Sequence, residues 1–296
     1  MIKLIRSVLL ILILASVGIA QEVTTLHLEK SLPIDGITFK EGKLYTFSGY
    51  GGKQVNQIDL KNGQVHLVAD NILAGIAGVF DEENNLYVST YTAEGAVFKI
   101  SADTIVSRVA NTKGGAAGIA MDDEGNVYTS IYGPFQNESD EIYKISPDGK
   151  VELFAKGNGI DAPIGLVFNE KGELFVANSK NGNILKIDKN GKVSSFAELG
   201  AAEGYFATGH IVYKNGVFYA SGNHHHKIFK ISKTGEVSVL VGAGIPGNKD
   251  GDLEEATFNV PNGMAINDDG TILYVVNGGG GGNSSVRIIN LKSIKK

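Results

Sequence analysis

The 296-residue sequence contains no cysteine and no tryptophan, only 6 prolines and only 3 methionines. The missing cysteine rules out a disulfide framework, a thiolate metal centre and a cysteine nucleophile. A chain of this length must then be held by burial alone, which its size permits. No run of one charge sign occurs either: 27 Lys and Arg stand against 32 Asp and Glu, a formal net charge of −5. A mildly acidic surface without a basic cluster argues against nucleic acid and anionic membranes as partners. The sequence also lacks a Gly-x-Ser-x-Gly elbow, a phosphate-binding loop and a His-Glu-x-x-His helix. Few helical patterns appear, whereas the 39 glycines suit many short strands joined by tight turns.

The N-terminus reads as a leader. Lys3 and Arg6 precede an apolar run from Ser7 to Val17, and Gly18-Ile19-Ala20 puts small residues before Gln21. The run is short of the ~20 residues a membrane span needs. A cleaved signal peptide over residues 1–20 is therefore expected, with a single domain over 21–296. Its loss takes the formal charge from −5 to −7. Export to a bacterial periplasm or beyond the cell follows as an expectation, with a monomer and no membrane contact after cleavage.

What remains is one unit repeated six times. Aligned on Gly36, Gly78, Gly118, Gly165, Gly209 and Gly263, the copies are spaced 42, 40, 47, 44 and 54 residues apart. An apolar step follows most of these glycines (Ile37, Val79, Ile119, Leu166, Met264), and His210 takes its place in the fifth copy. A strand centred on an aromatic comes next, at Tyr45, Tyr87, Tyr128, Phe175, Tyr219 and Tyr274. A third strand is most regular in Ile142-Tyr143-Lys144-Ile145 and Ile228-Phe229-Lys230-Ile231, and a weaker fourth closes the unit. Four short antiparallel strands per repeat of this length predict a blade of a propeller. One such sheet cannot bury both faces, so blades must stack around an axis. The sixth copy ends after its third strand, Val286-Arg287-Ile288-Ile289. Glu22-Val23-Thr24-Thr25-Leu26 mirrors Glu236-Val237-Ser238-Val239-Leu240, a fourth strand. The expected fold is thus an all-β, six-bladed propeller whose ring is closed by the N-terminal strand.

The segment Gly244 to Ala265, with Asp250-Gly251, Ala256, Phe258, Pro261 and Gly263, resembles the NHL-repeat signature. The Pro-x-Gly step and the Leu-Tyr-Val-x-Asn strand are also similar to the gluconolactonase/regucalcin family. The resemblance covers residues 22–291 and implies the six-bladed propeller. It does not fix the activity, because one fold hosts many functions. The gluconolactonase type implies a divalent cation, usually calcium, held by one Glu, two Asn and one Asp from positions before the first strands. Those positions here are Asp35, Ala77, Ala117, Ile164, Thr208 and Asn262. Only Asp35 and Asn262 suit the metal, so the family activity is not carried over.

In a propeller the loops before the first strand and after the second emerge on one face, around the channel mouth. Candidate ligand contacts there are Asp35 and Asn262 before first strands, and Asn178 and Asn277 at the ends of second strands. His210 and His224 add imidazoles within blade five, and Phe135 sits in an acidic loop, Tyr132 to Glu141. Zinc or acid–base work by the histidines is countered by the absence of a carboxylate nearby in sequence. The favoured function is non-catalytic binding of a small molecule, glycan or peptide at this mouth. The alternative is a divergent metal-dependent hydrolase of lactones or esters.

Overall fold

A computed structural model of the chain describes residues 22–134, 137–204, 206–278 and 284–294. These form six four-stranded antiparallel sheets, with no helix among the described residues. In blades one to five, four consecutive strands pair in chain order. Their first strands are Gly36–Lys40, Gly75–Phe80, Ala116–Met121, Pro163–Phe168 and Ile211–Lys214, and that of blade six is Met264–Ile266. Each first strand contacts those of both neighbouring blades, so six innermost strands surround the axis.

Crowding at the axis accounts for the repeated glycine. A Cβ on Gly36 would collide with the Ile76 carbonyl oxygen of blade two, and one on Gly118 with the Ile164 carbonyl oxygen of blade four. Only glycine lets two backbones pass so closely. Buried serines of the second strands tie the axis together. Ser89 Oγ donates to the Ala117 carbonyl of the next blade, and Ser130 Oγ donates to that of Ile164 at 2.7 Å.

Away from the axis, apolar residues fill the gaps between sheets. Six separate clusters occupy the six gaps, for example Leu44, Ile58, Tyr274 and Val286 between blades one and six. The aromatic of the second strand reaches across in several of them. Tyr128 meets Phe168 at 5.1 Å, Tyr45 meets Phe80 at 4.9 Å and Phe175 meets Phe218 at 4.4 Å between ring centroids. Each sheet therefore hides its faces only against a neighbour, which is why the units do not stand alone.

Blade six differs. Its outermost strand is Val23–Leu26, paired antiparallel with Ser285–Asn290 in an unbroken register from Val23↔Ile289 to Leu26↔Val286. The expected closure by the N-terminal strand is what the chain does. A polar latch holds the seam. Asp250 accepts hydrogen bonds from Thr25 N (3.1 Å), Thr25 Oγ1 (2.8 Å) and the fully buried Arg287 guanidinium (2.8 Å). That guanidinium also donates to the Thr257 and Lys249 carbonyls and lies over the Phe258 ring at 5.1 Å. Val23 and Gly251 exchange two backbone hydrogen bonds beside it. The Asp-Gly, Phe and Arg of this stretch are thus closure chemistry.

Candidate functional site

The channel mouth is built by loops that one recurring backbone hydrogen bond pins down. The residue just after the second strand donates its N–H to a carbonyl just before the first strand of its own blade. The pairs are Tyr91 to Ala74, Tyr132 to Gly115 and Ser179 to Ala162, all at 2.9 Å, while in blade five His224, two residues past its strand, donates to the more distant Phe206 carbonyl at 3.1 Å. Ala74 and Ala162 hold left-handed φ values of 52° and 49°. Such backbone strain in non-glycine residues persists where the surroundings over-determine it, often at functional loops.

Within this frame Asp35 and Asn262 come together. Asn262 Nδ2 donates to Asp35 Oδ1 at 2.8 Å, and Asn223 Nδ2 donates in turn to Asn262 Oδ1 at 3.3 Å. Gly49, at φ +73°, closes over the carboxyl group, where any side chain would abut Oδ2. Desolvation by burial lifts the Asp35 carboxyl from 3.8 to about 6, partly offset by the Asn262 hydrogen bond. Gly209 sits in the same cluster, since a Cβ there would take the space of the Asn262 and Asn223 amide oxygens.

The next residues carry polar atoms with nothing to bond. Six buried side-chain atoms lack a partner among the described residues, and four lie here: Ser179 Oγ, Thr208 Oγ1, His210 Nε2 and Asn223 Oδ1. They belong to one place, because Thr208 donates its N–H to the Ser179 carbonyl and Gly209 links Thr208 to His210. The His210 backbone is fixed at both ends by Ser221. Burial pushes its imidazole down from 6.5 to about 4, so the ring is neutral. An unmet buried polar group costs about 1–3 kcal/mol, and native proteins keep few of them.

The other candidates have different employment. Asn178 Oδ1 accepts from Asp161 N at 3.1 Å, and Nδ2 donates to the Gly159 carbonyl at 2.7 Å. Asn277 accepts from Asn259 N and donates to Gly247 and Asn248 in the same way. Both amides clasp the loop leading into their blade. His224 Nδ1 lies 2.8 Å from the Phe206 carbonyl, His225 Nε2 3.1 Å from that of Gly200, and His226 Nδ1 accepts from Val260 N. The triple histidine is therefore split among three loops. Phe135 lies outside the described residues.

A calcium centre does not fit this donor set. Calcium takes six to eight oxygens, and beside Asn262 the one carboxylate is that of Asp35, whose Oδ1 faces the Asn262 amide nitrogen. Among the described residues no group of three or more His, Asp or Glu side chains is placed to hold a metal. No step through a cation is derived.

Sequence reasoning missed a second layer of the mouth, made of rings. Tyr50, Tyr91, Tyr132, Phe206 and His224 follow one another around the rim at centroid separations of 6.2, 6.0, 6.0 and 6.3 Å. The recurrence of an aromatic directly after the second strand, at Tyr91 and Tyr132, was the available signal. Blade four breaks the series with Ser179, and Phe206 from the following loop fills the gap. A separate cavity of about 310 Å³ between blades four and five opens on the opposite face, lined by turn residues and inter-blade aromatics such as Phe196 and Phe218.

No family model matches the chain. A 51-residue stretch is 43% identical to human NHL repeat-containing protein 2, spanning 17% of this chain and 7% of that protein. The chain thus spans a small fraction of the length of the curated relative it matches. Among solved structures it is similar to an auxiliary nutrient binding protein from Bacteroides thetaiotaomicron VPI-5482. That match has a TM-score of 0.70 at 13% identity and covers 90% of this chain and 75% of the other. It is also similar to a gluconolactonase from Xanthomonas campestris, with a TM-score of 0.65 at 14% identity, covering 90% and 89%. At such identities the likeness shows the fold: a six-bladed propeller of the kind found in NHL-repeat and gluconolactonase proteins.

Proposed function

We propose that this chain is an exported propeller that binds a small molecule, glycan or peptide at its channel mouth without transforming it. The observation that carries this reading is the concentration of partnerless buried polar atoms at Ser179, Thr208, His210 and Asn223. A core built for stability alone would pair or replace them, and water held beneath a bound ligand would satisfy them, since the atoms themselves are buried. The nutrient-binding neighbour is consistent with small-molecule capture, and the leader-like residues 1–20 support export. Mass spectrometry of the secreted or periplasmic chain should find Gln21 at its N-terminus.

The binding reading is tested by thermal shift with a panel of sugars, peptides and metabolites. At least one class should raise the melting temperature, by an amount set by its concentration relative to its Kd. Asn223→Leu should abolish that rise. The hydrolase reading has one observation in its favour, the raised pKa of Asp35 at the mouth, since perturbed carboxyls gather at catalytic sites. Calcium-dependent hydrolysis of a sugar lactone or aryl ester, lost in Asp35→Ala, would replace binding by turnover.

A further inference from the structure

The rim and the polar cluster are one surface. Phe206 is two residues before Thr208, and His224 directly follows Asn223, so the ring series ends where the partnerless polar atoms begin. At the far end Tyr50 is 75% exposed, packed edge-on against Tyr91 at 72°. Tyr91 is locked in turn by its hydroxyl, which donates to the Gly133 carbonyl of blade three at 2.9 Å. Tyr132 is buried at the middle of the arc and supports its neighbours. Phe206 and His224 stack with their planes 14° apart and remain partly accessible. The arc is held in place by the recurring mouth hydrogen bond under Tyr91 and Tyr132, and by the His224 N–H, which donates to the Phe206 carbonyl at 3.1 Å.

Resting on the mouth-face reading, we infer that this arc is a platform for a neutral oligosaccharide, laid from Tyr50 in blade one to the polar cluster at blade five. The chemistry of this surface selects that class. A sugar ring has a face of C–H groups and an edge of hydroxyls. The C–H face carries slight positive charge and suits the negative face of an aromatic ring. Each hydroxyl both donates and accepts, which suits a cluster mixing hydroxyls, an amide oxygen and a neutral imidazole nitrogen, whose buried atoms it would meet through bridging water. Several linked rings match several aromatic side chains in series.

The alternatives fit less well. An anionic ligand has less to hold it: Lys113 and Lys180 in the loops of this face are paired with Glu141 (2.7 Å) and Glu138 (3.9 Å), which leaves the exposed Lys53 beside the rim. A peptide bound as an added strand would need an open sheet edge. The first strands at the axis are paired along one side and pressed against the neighbouring blades on the other.

The experiment is titration of the full chain with neutral oligosaccharides of increasing length, alongside uncharged peptides of similar size. With no tryptophan present, tyrosine emission can be followed alone, and the difference between the chain and Tyr50→Ala isolates the rim's share of it. One saccharide series should bind, with affinity rising with length, and should perturb that emission. Tyr50→Ala, at an exposed position, should weaken the longer saccharides about tenfold while leaving the melting temperature and the binding of the shortest saccharide unchanged. Length-independent saccharide binding that ignores Tyr50→Ala overturns the platform. Binding of peptides in place of saccharides overturns the ligand class but keeps the mouth as the site. If no member of either series binds and Asn223→Leu changes no ligand response, the mouth-face reading falls with it.

Discussion

Two regions of this propeller bury polar side chains, and they treat them in opposite ways. At the seam of blade six, Asp250 collects three hydrogen bonds, and the buried Arg287 has every group engaged except Nε. At the mouth between blades four and five, four buried polar atoms sit together with no partner. Saturated polar groups lock one geometry, while unsaturated ones leave bonding capacity for something not in the chain. On the proposed binding reading, the difference separates what closes the ring from what meets a ligand.

The comparison breaks most sharply at Asp250. Asp250→Ala leaves the Arg287 guanidinium buried without its counter-charge, a change that costs about 3–5 kcal/mol. For a chain of this size the melting temperature should fall by roughly 10 °C. A calorimetric scan showing no loss would mean that the N-terminal strand is not latched as described.

Acid–base behaviour at the mouth gives a smaller effect with a definite sign. Burial raises Asp35 to about 6, so the folded state binds its proton more tightly and loses stability as pH rises from about 4 to 6. Burial lowers His210 to about 4, so the unfolded state takes that proton first and stability falls as pH drops from 6.5 to 4. The two slopes oppose each other, each about 3 kcal/mol at ~1.4 kcal/mol per unit. Asp35→Asn should therefore expose a protein that weakens on acidification through this window. His210→Leu, which restores the apolar residue of the other blades, should expose one that strengthens. Melting curves at pH 4.5 and 6.5 decide the matter, and equal slopes in both variants would remove the mouth assignment.

The smallest effect is the most diagnostic. Thr25→Val at the seam deletes a hydroxyl that donates to Asp250, and should cost about 1 kcal/mol. Thr208→Val deletes a hydroxyl with no partner, and should be neutral or slightly stabilising. Paired denaturant titrations that rank them the other way would cancel the contrast between the two regions.

Nearly all of the architecture was legible from residue spacing. Gly36, Gly118 and Gly263 recur because the axis admits no side chain, and Tyr45, Tyr128 and Tyr274 recur because each gap between sheets needs a ring. Sterics and burial act on every copy alike, so they leave a periodic trace. The mouth left a fainter one. Asp35 and Asn262 were found because both precede the recurring glycine, and the structure joins them. Asn178 and Asn277 share a position, but that position turns out to clasp a loop, a use that spacing cannot distinguish from ligand contact. Ser179 and Phe206 escaped notice because each departs from the repeat in a single blade.

The pairing of Val23 with Ile289 also bears on how the molecule assembles. The earliest-made strand waits, unpaired on its sheet, until the last one has been synthesised, and the circle locks in a single late step. Contacts this distant along the chain make folding slow, because the loop entropy is lost before the contact rewards it. Once locked, neither Val23–Leu26 nor Ser285–Asn290 offers a place for a blade to peel away, since each is paired with the other.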